Sequence, residues 1–178
     1  MTVEEVYSIR IVDVRRRSVD FHTTILASLN LLKDTDSRRF SRVTKNLDWI
    51  VNTSLSTPGA EYWHWAHACA INFEESWPER DVEFSIAFHA ALLVHEATHA
   101  YLECRGIRYD EDKRLRIEAL CVKEQNRWAA SLDNEELGKM LNQKFDPEDW
   151  DFSWNGSKLD HFKAAIRNSI TAKEAEQD

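Results

Sequence analysis

Two histidines four residues apart, with a glutamate beside the first, are the side chains of this chain best suited to chemistry. The segment reads H-E-A-T-H from His95 to His99 and lies in an apolar run over residues 86–102. On a helix, residues four apart lie on one face, one turn above another, so both imidazoles point to the same place. Two neutral imidazoles at this spacing suit a zinc ion and leave two of its coordination positions to be filled. Glu96 lies about 100° further round the helix, where its carboxylate could act as a base toward a water that zinc acidifies.

The alternative for this segment is a buried helix that carries the histidine pair by chance. Two histidines and a glutamate in an apolar helix cost free energy unless something pairs with them. Glu118 follows His99 with eighteen residues between them, on the next predicted helix, and is a candidate third ligand. Glu124 points about 120° away from Glu118 by the helical period and is a weaker candidate. Cys121, one turn after Glu118, is either a thiolate ligand or a small core cysteine.

The pattern H-E-x-x-H, eighteen residues and then Glu resembles that of the gluzincin metallopeptidases. The matching segments are V-H-E-A-T-H-A-Y-L at 94–102 and R-I-E-A-L-C at 116–121, within a resemblance over roughly residues 81–130. It implies a zinc-dependent peptidase that hydrolyses a peptide or protein substrate with a metal-activated water. The residues that the resemblance places at the Zn²⁺ site are the ligands His95, His99 and Glu118 and the general base Glu96.

The chain departs from a second zinc-peptidase family, the metzincins, because Leu102 and Arg105 stand where those proteins have glycine and a third histidine. Larger gluzincins also carry a tyrosine or histidine that steadies the oxyanion. No position matches it clearly here, and His161 is a candidate. Two rivals to a peptidase stay open: a non-catalytic zinc-binding module for regulation or interaction, and a structural zinc site that joins two helices. A structural site requires four protein ligands, and Cys121 or His67 is the candidate for the fourth.

Composition and charge narrow the class of protein. The 178 residues, 43% of them hydrophobic, predict a single domain over residues 1–178 with one packed core. A net charge of −8 and a pI near 5.4 argue against a nucleic-acid partner, whose binding needs a basic surface. The sequence contains no apolar run of about 18 residues, so we expect no membrane span. The N-terminus does not have the pattern of a signal peptide. Three cysteines without a C-x-x-C motif favour reduced thiols and a cytoplasmic location.

The site needs two helices to position it, and the flanking residues predict where they lie. Asp81 can cap a helix over 82–105 that stops at Gly106, a residue suited to the left-handed position after a helix. Asp110 is a plausible cap for the next helix, which should continue to about residue 132. The short connection makes the second helix pack back against the first. These segments form a predicted metal-site core over residues 81–132.

The rest of the chain predicts a small sheet before the site and a helical extension after it, over about 134–171. The 61–74 segment alternates as one strand, or as two split near Ala66, and is the candidate for holding an extended peptide by main-chain pairing. The predicted fold is therefore α+β, a small zincin-like domain with a short sheet, the H-E-x-x-H helix and a second helix that carries the third ligand. The other predicted elements are a strand at 5–14, a helix at 19–33, a helix ending at 46, a strand at 47–53, an Asn134-capped helix at 135–144 and a last helix at 157–171.

Overall fold

The structure, a computed structural model, describes residues 3–15, 20–55, 59–76 and 81–147. The chain divides into two compact units, Met1–Gln143 and Lys144–Asp178, and every helix and strand given below lies in the first. The single domain predicted over residues 1–178 stays a prediction. His161 and the last predicted helix fall outside the described residues. Within the described part of the chain, no helix is long and apolar enough to cross a membrane.

A five-stranded mixed sheet and the helices beside it confirm the α+β class. The strands follow the order β1-β2-β3-β5-β4. The central strands β2, β3 and β5 are parallel to one another, while β1 and β4 pair antiparallel at the two edges. The strand bounds are Val3–Val6 for β1, Ile9–Asp13 for β2, Trp49–Asn52 for β3, Ala60–Trp63 for β4 and Ala68–Ile71 for β5.

The first sheet element is a hairpin, so the prediction of one strand over 5–14 is wrong. Strands β1 and β2 pair with Val6 opposite Ile9, which leaves a two-residue loop of Tyr7 and Ser8. Both loop residues have positive φ, 53° and 66°, as a type I′ turn requires. The turn was not predicted because neither residue is a glycine or asparagine, the types that usually mark it.

The 61–74 segment also forms a hairpin, which confirms the alternative of two strands split near Ala66. β4 and β5 pair antiparallel, with Trp63 opposite Ala68. Cys69 and Ile71 face the helices and are fully buried. The helix ending at Asn46 is confirmed, and the strand predicted over 47–53 is present but shorter, over Trp49–Asn52.

The helices lie against one face of the sheet, with α4 in the centre. α4 packs against α1, α2, α5 and α6 and against strands β4 and β5. The helix bounds are Phe21–Thr35 for α1, Ser37–Asn46 for α2, Phe73–Ser76 for α3, Val82–Glu103 for α4, Arg114–Ala129 for α5 and Glu135–Leu141 for α6. On α1, four apolar side chains spaced three or four residues apart are fully buried: Phe21, Ile25, Leu29 and Leu32.

Asp81 and Gly106 mark the two ends of the central helix α4, as predicted. The Asp81 carboxylate accepts a hydrogen bond from the Phe84 backbone N–H at 2.7 Å, which satisfies one free donor of the first turn. Gly106 has φ 79°, a conformation that costs a residue with a side chain free energy. The central helix therefore starts and stops where local chemistry directs it.

The second site helix begins later than predicted. α5 starts at Arg114, and Lys113 takes the cap position without a side-chain hydrogen bond. The Asp110 carboxylate instead accepts a hydrogen bond from Lys113 Nζ at 2.6 Å, so it does not cap the helix. The Asn134 cap of α6 is confirmed, since its side chain accepts from the Leu137 N–H at 3.1 Å.

Candidate metal centre

Two neighbouring helices bring the predicted ligands together in the interior. His95 and His99 project from α4, and Glu118 projects from α5 onto the same point. The Oε2 atom of Glu118 lies 3.2 Å from His95 Nε2, and its Oε1 atom lies 3.6 Å from His99 Nε2. Glu118 is 3% exposed and His95 is 7% exposed, so this contact excludes nearly all water.

These distances fit the donor set of a tetrahedral zinc ion. Nitrogen and oxygen ligands at roughly 2.0–2.2 Å from tetrahedral zinc lie roughly 3.3–3.6 Å from one another. The two contacts of Glu118, made by its two different carboxylate oxygens, are 3.2 and 3.6 Å long and lie close to this spacing. The imidazole rings of His95 and His99 are 5.1 Å apart between centroids, and one nitrogen of each ring lies within 4.8 Å of one nitrogen of the other. The residues present therefore suit Zn²⁺, with two imidazoles and one carboxylate as donors.

Gln125 orients the first histidine. His95 Nδ1 lies 3.2 Å from Gln125 Oε1, to which it donates a hydrogen bond inside the protein. A proton on Nδ1 leaves Nε2, the atom that faces Glu118, as the nitrogen able to bind a metal. Partners of this kind fix the tautomer and the ring orientation of metal-binding histidines. Gln125 stands on the same face of α5 as Glu118, two turns later.

Glu118 and His95 shift each other's pKa in opposite directions. Burial alone would raise the pKa of the Glu118 carboxyl, but hydrogen bonds and charge from His95 and His99 hold it well below its usual range. Burial alone would lower the pKa of His95. Its hydrogen bond to Glu118 and the charge of Glu96 outweigh burial, so the pKa is raised. Without a metal, His95 Nε2 and Glu118 Oε2 are joined by a hydrogen bond, which a zinc ion between them would replace.

Glu96 follows His95 on α4 and interacts electrostatically with the cluster and with residues of the β4–β5 hairpin. It is 5% exposed. Burial raises the pKa of its carboxyl, and although the charges of His95 and His99 oppose this, the net shift is upward. The same carboxyl acts electrostatically on Cys69, at the centre of β5, and Glu61 of β4 acts on it in turn. A buried carboxyl with a raised pKa beside a ligand cluster is characteristic of a general base.

Cys121 approaches the same two histidines from α5. Its sulfur and one nitrogen of each imidazole all lie within 4.8 Å of one another, and the thiol is fully buried. Glu118 and Cys121 are three residues apart, so they share a face of α5. Among the described residues, two possible donor triads thus share His95 and His99, one completed by Glu118 and the other by Cys121.

Tyr109 is a further residue at the site, and it comes from the loop between the two helices. Its hydroxyl donates a short hydrogen bond to Glu118 Oε1. Its ring packs edge-on against His99 at 5.3 Å between centroids. Burial and the Glu118 hydrogen bond raise the pKa of Tyr109 well above its usual value, so the hydroxyl keeps its proton.

Glu124, the weaker candidate ligand, forms ion pairs with three arginines. Its Oε2 accepts hydrogen bonds from Arg39 at 3.2 Å and from Arg42 at 3.1 Å, and its Oε1 accepts from Arg127 at 2.9 Å. Arg42 also donates to the Thr98 hydroxyl at 3.2 Å. This network ties α2 to both site helices and leaves Glu118 as the carboxylate of α5 that meets the histidines.

The other described histidines have different surroundings. His67 Nδ1 lies 2.9 Å from the Tyr62 hydroxyl, which donates to Glu103, and the ring is exposed. His89 is fully buried, and its Nδ1 donates to the Ser85 carbonyl at 2.8 Å, as expected for a packed histidine. His67 is thus no part of the cluster formed by His95, His99 and Cys121.

Two residues of the site, Gln125 and Tyr109, were not identified from the sequence as functional. The helical period puts Gln125 on the same face of α5 as Glu118, which is a signal in the sequence, but its pairing with His95 depends on how the two helices pack. Tyr109 lies outside regular structure, where no period predicts its direction.

Comparison with known proteins provides no relative for this site. No protein-family model, curated protein or solved structure matches the chain. The geometry of the candidate site and its surroundings is therefore the basis for the proposed function.

Proposed function

We propose that the chain is a zinc-dependent peptidase with a zincin-like arrangement of sheet and helices. One observation carries the proposal: the carboxylate of Glu118 reaches Nε2 of both histidines of the H-E-x-x-H helix, at 3.2 and 3.6 Å. A carboxylate donor from a second helix completes the two-histidine, one-glutamate set found in catalytic zinc sites, which keep a further position open. Zn²⁺, when bound by His95, His99 and Glu118, would acidify a water and polarise the carbonyl of the substrate.

Glu96 is the base in this proposal. Its raised pKa brings the carboxylate closer to neutral pH, where a general base is most effective. It takes a proton from the attacking water and passes it to the leaving amine. Because Glu96 is only 5% exposed, bulk water does not compete for that proton.

Tyr109 supplies the second group needed by the reaction. Its hydroxyl contacts Glu118 and its ring contacts His99, so it lies beside the ligands without belonging to either site helix. Because its pKa is raised, the hydroxyl remains a hydrogen-bond donor over the physiological range. We assign it the stabilisation of negative charge on the carbonyl oxygen, toward which the hydroxyl would turn its hydrogen bond from Glu118. One such donor is worth about 10²–10³-fold in rate.

The edge strand β4 offers a place for an extended peptide. In the sheet formed by the described residues, β4 pairs with β5 on one side only. It packs against α4, and its Glu61 acts electrostatically on Glu96. Main-chain pairing along such an edge binds extended peptides, with side-chain pockets adding specificity. A peptide paired with β4 would pass close to the proposed base.

The test compares the parent with Glu96→Gln on a broad peptide library. Glutamine keeps the size of the side chain and removes the basic carboxylate, so hydrolysis should fall by at least about 10²-fold. Zinc content should stay at the parent value, since no ligand is lost. Glu83→Gln, on the first turn of the same helix, is the matched control and should cleave as the parent does. Equal cleavage by Glu96→Gln and the parent would refute the proposed mechanism.

A non-catalytic zinc-binding module is the second candidate function, and the position of Cys121 favours it. A fourth protein donor near both imidazoles is what a closed zinc site has. If no peptide is cleaved by the parent, by Glu96→Gln or by Cys121→Ala, which lacks the fourth donor, while all three hold zinc, the chain acts by binding a partner.

A further inference from the structure

The metal centre has one more donor than a catalytic zinc site uses. Four side chains converge from two helices: His95 and His99 at i and i+4 on α4, Glu118 and Cys121 at i and i+3 on α5. The contacts of Glu118 with the two imidazoles are 3.2 and 3.6 Å. The sulfur of Cys121 and the imidazole nitrogens lie within 4.8 Å of one another.

The distance from sulfur to the histidines is within reach of direct ligation. With zinc bonds of about 2.3 Å to sulfur and about 2.0–2.1 Å to nitrogen, the two ligand atoms of a tetrahedral site lie roughly 3.6 Å apart. The spread of up to 4.8 Å exceeds this by about 1 Å, an adjustment that a change of cysteine rotamer supplies without moving a helix.

Burial together with position beside the histidines separates Cys121 from the other two cysteines. Cys104 is exposed, and Cys69 lies in strand β5 within the core. Cys121 is fully buried and stands one turn after Glu118, on the side of α5 that meets the histidines. Thiolate sulfur is a softer donor than carboxylate oxygen and is preferred by zinc.

We propose that Cys121 is a fourth ligand of the zinc ion in the resting protein. Its sulfur would then take the coordination position that a water molecule needs for hydrolysis. This inference rests on the proposed function and adds regulation to the same site. On binding, the sulfur–metal bond forms and the thiol proton passes to solvent. The peptidase is then latent, and it becomes active when the thiolate leaves the metal.

Cobalt substitution tests the ligation directly. Co²⁺ bound through a thiolate gives an intense charge-transfer absorption in the near ultraviolet, which nitrogen and oxygen ligands do not give. The parent loaded with one equivalent of Co²⁺ should show this band. Cys121→Ser should lose it while still binding cobalt, with an affinity lower by more than about 100-fold, since loss of an outer-shell partner alone costs about 10–100-fold. Cys104→Ser, the matched control, should keep both the band and the affinity.

The outcomes separate this inference from the proposed function. Cobalt bound to the parent without the band would overturn ligation by Cys121 and leave the His95, His99 and Glu118 site intact. No cobalt bound at all would overturn the metal site and both proposals with it. Because the parent spectrum needs no variant, the result stands even where Cys121→Ser does not fold.

Hydrolysis tests the latency. Cys121→Ala should cleave peptides at least about tenfold faster than the parent, because its fourth position is open to water. Equal rates, with the charge-transfer band present in the parent, would show that the thiolate does not limit the reaction and would overturn the latent state.

Discussion

Replacing Gln125 with leucine should weaken zinc binding although Gln125 is not itself a ligand. The side chain is 7% exposed and accepts the Nδ1–H of His95 at 3.2 Å. Leucine has a similar volume and no acceptor, so the buried N–H loses its partner. The imidazole is then free to rotate and to move its proton to Nε2, the nitrogen that must be bare to bind a metal.

The size of the effect follows from the hydrogen bond that is lost. A buried N–H left without a partner costs about 1–3 kcal/mol. Outer partners of metal-binding histidines are worth about 10–100-fold in metal affinity, which is about 1.4–2.7 kcal/mol at 25 °C. The two ranges agree, so Gln125→Leu should raise the dissociation constant of zinc by about 10–100-fold, measured by competition with a chromophoric chelator.

Two controls separate orientation of His95 from general damage to the fold. Gln125→Glu keeps an acceptor for the Nδ1–H and should bind zinc within about threefold of the parent, since a carboxylate serves the same role in known zinc sites. Gln143→Leu removes an exposed amide and should have no effect. If Gln125→Leu folds and binds zinc as tightly as the parent, the hydrogen bond does not orient the ligand.

Three further changes probe the ligand choice and the core. Glu118→Ala should abolish tight zinc binding while Glu124→Ala leaves it nearly intact, and the opposite ranking in a chelator competition would contradict the geometry. Burial lowers the pKa of His89 to about 4, although its hydrogen bond to the Ser85 carbonyl opposes this. His89 thus contributes stability that is complete above its unfolded pKa of about 6.5 and is lost as pH falls toward 4. The parent should therefore lose about 2 kcal/mol more of its unfolding free energy than His89→Gln between pH 7.5 and pH 5, and equal losses would refute this. Gly138→Ala places a Cβ 2.6 Å from the Ala129 carbonyl oxygen, so urea unfolding should show a loss of about 1–3 kcal/mol, and an unchanged midpoint would contradict the packing.

Local signals predicted the elements whose ends are chemically marked. α4 was predicted to within two residues, because Asp81 caps it, Gly106 ends it and an apolar run fills it. The N-terminal hairpin was missed because Tyr7 and Ser8 adopt positive φ without the usual turn residues. Asp110 looked like a cap by type, but its ion pair with Lys113 depends on a loop conformation that the sequence does not reveal.

In the candidate site, too, local signals predict some features and tertiary packing decides the others. The spacing of His95 and His99 on one helix is fixed by the helical period, so their convergence follows from the sequence. Glu118 meets both histidines, whereas Glu124 pairs with arginines of α2. This difference depends on how three helices pack. The closeness of Cys121 was open between ligand and core cysteine for the same reason.

Zinc stoichiometry tests the metal centre most directly. The parent, purified and dialysed against zinc-free buffer after loading, should hold about one zinc per chain by elemental analysis, since one converging set of ligands is present. The double variant His95→Ala/His99→Ala should hold none, because it removes both imidazole donors. Full retention of zinc by the double variant, with the fold intact, would place the metal elsewhere and contradict the site.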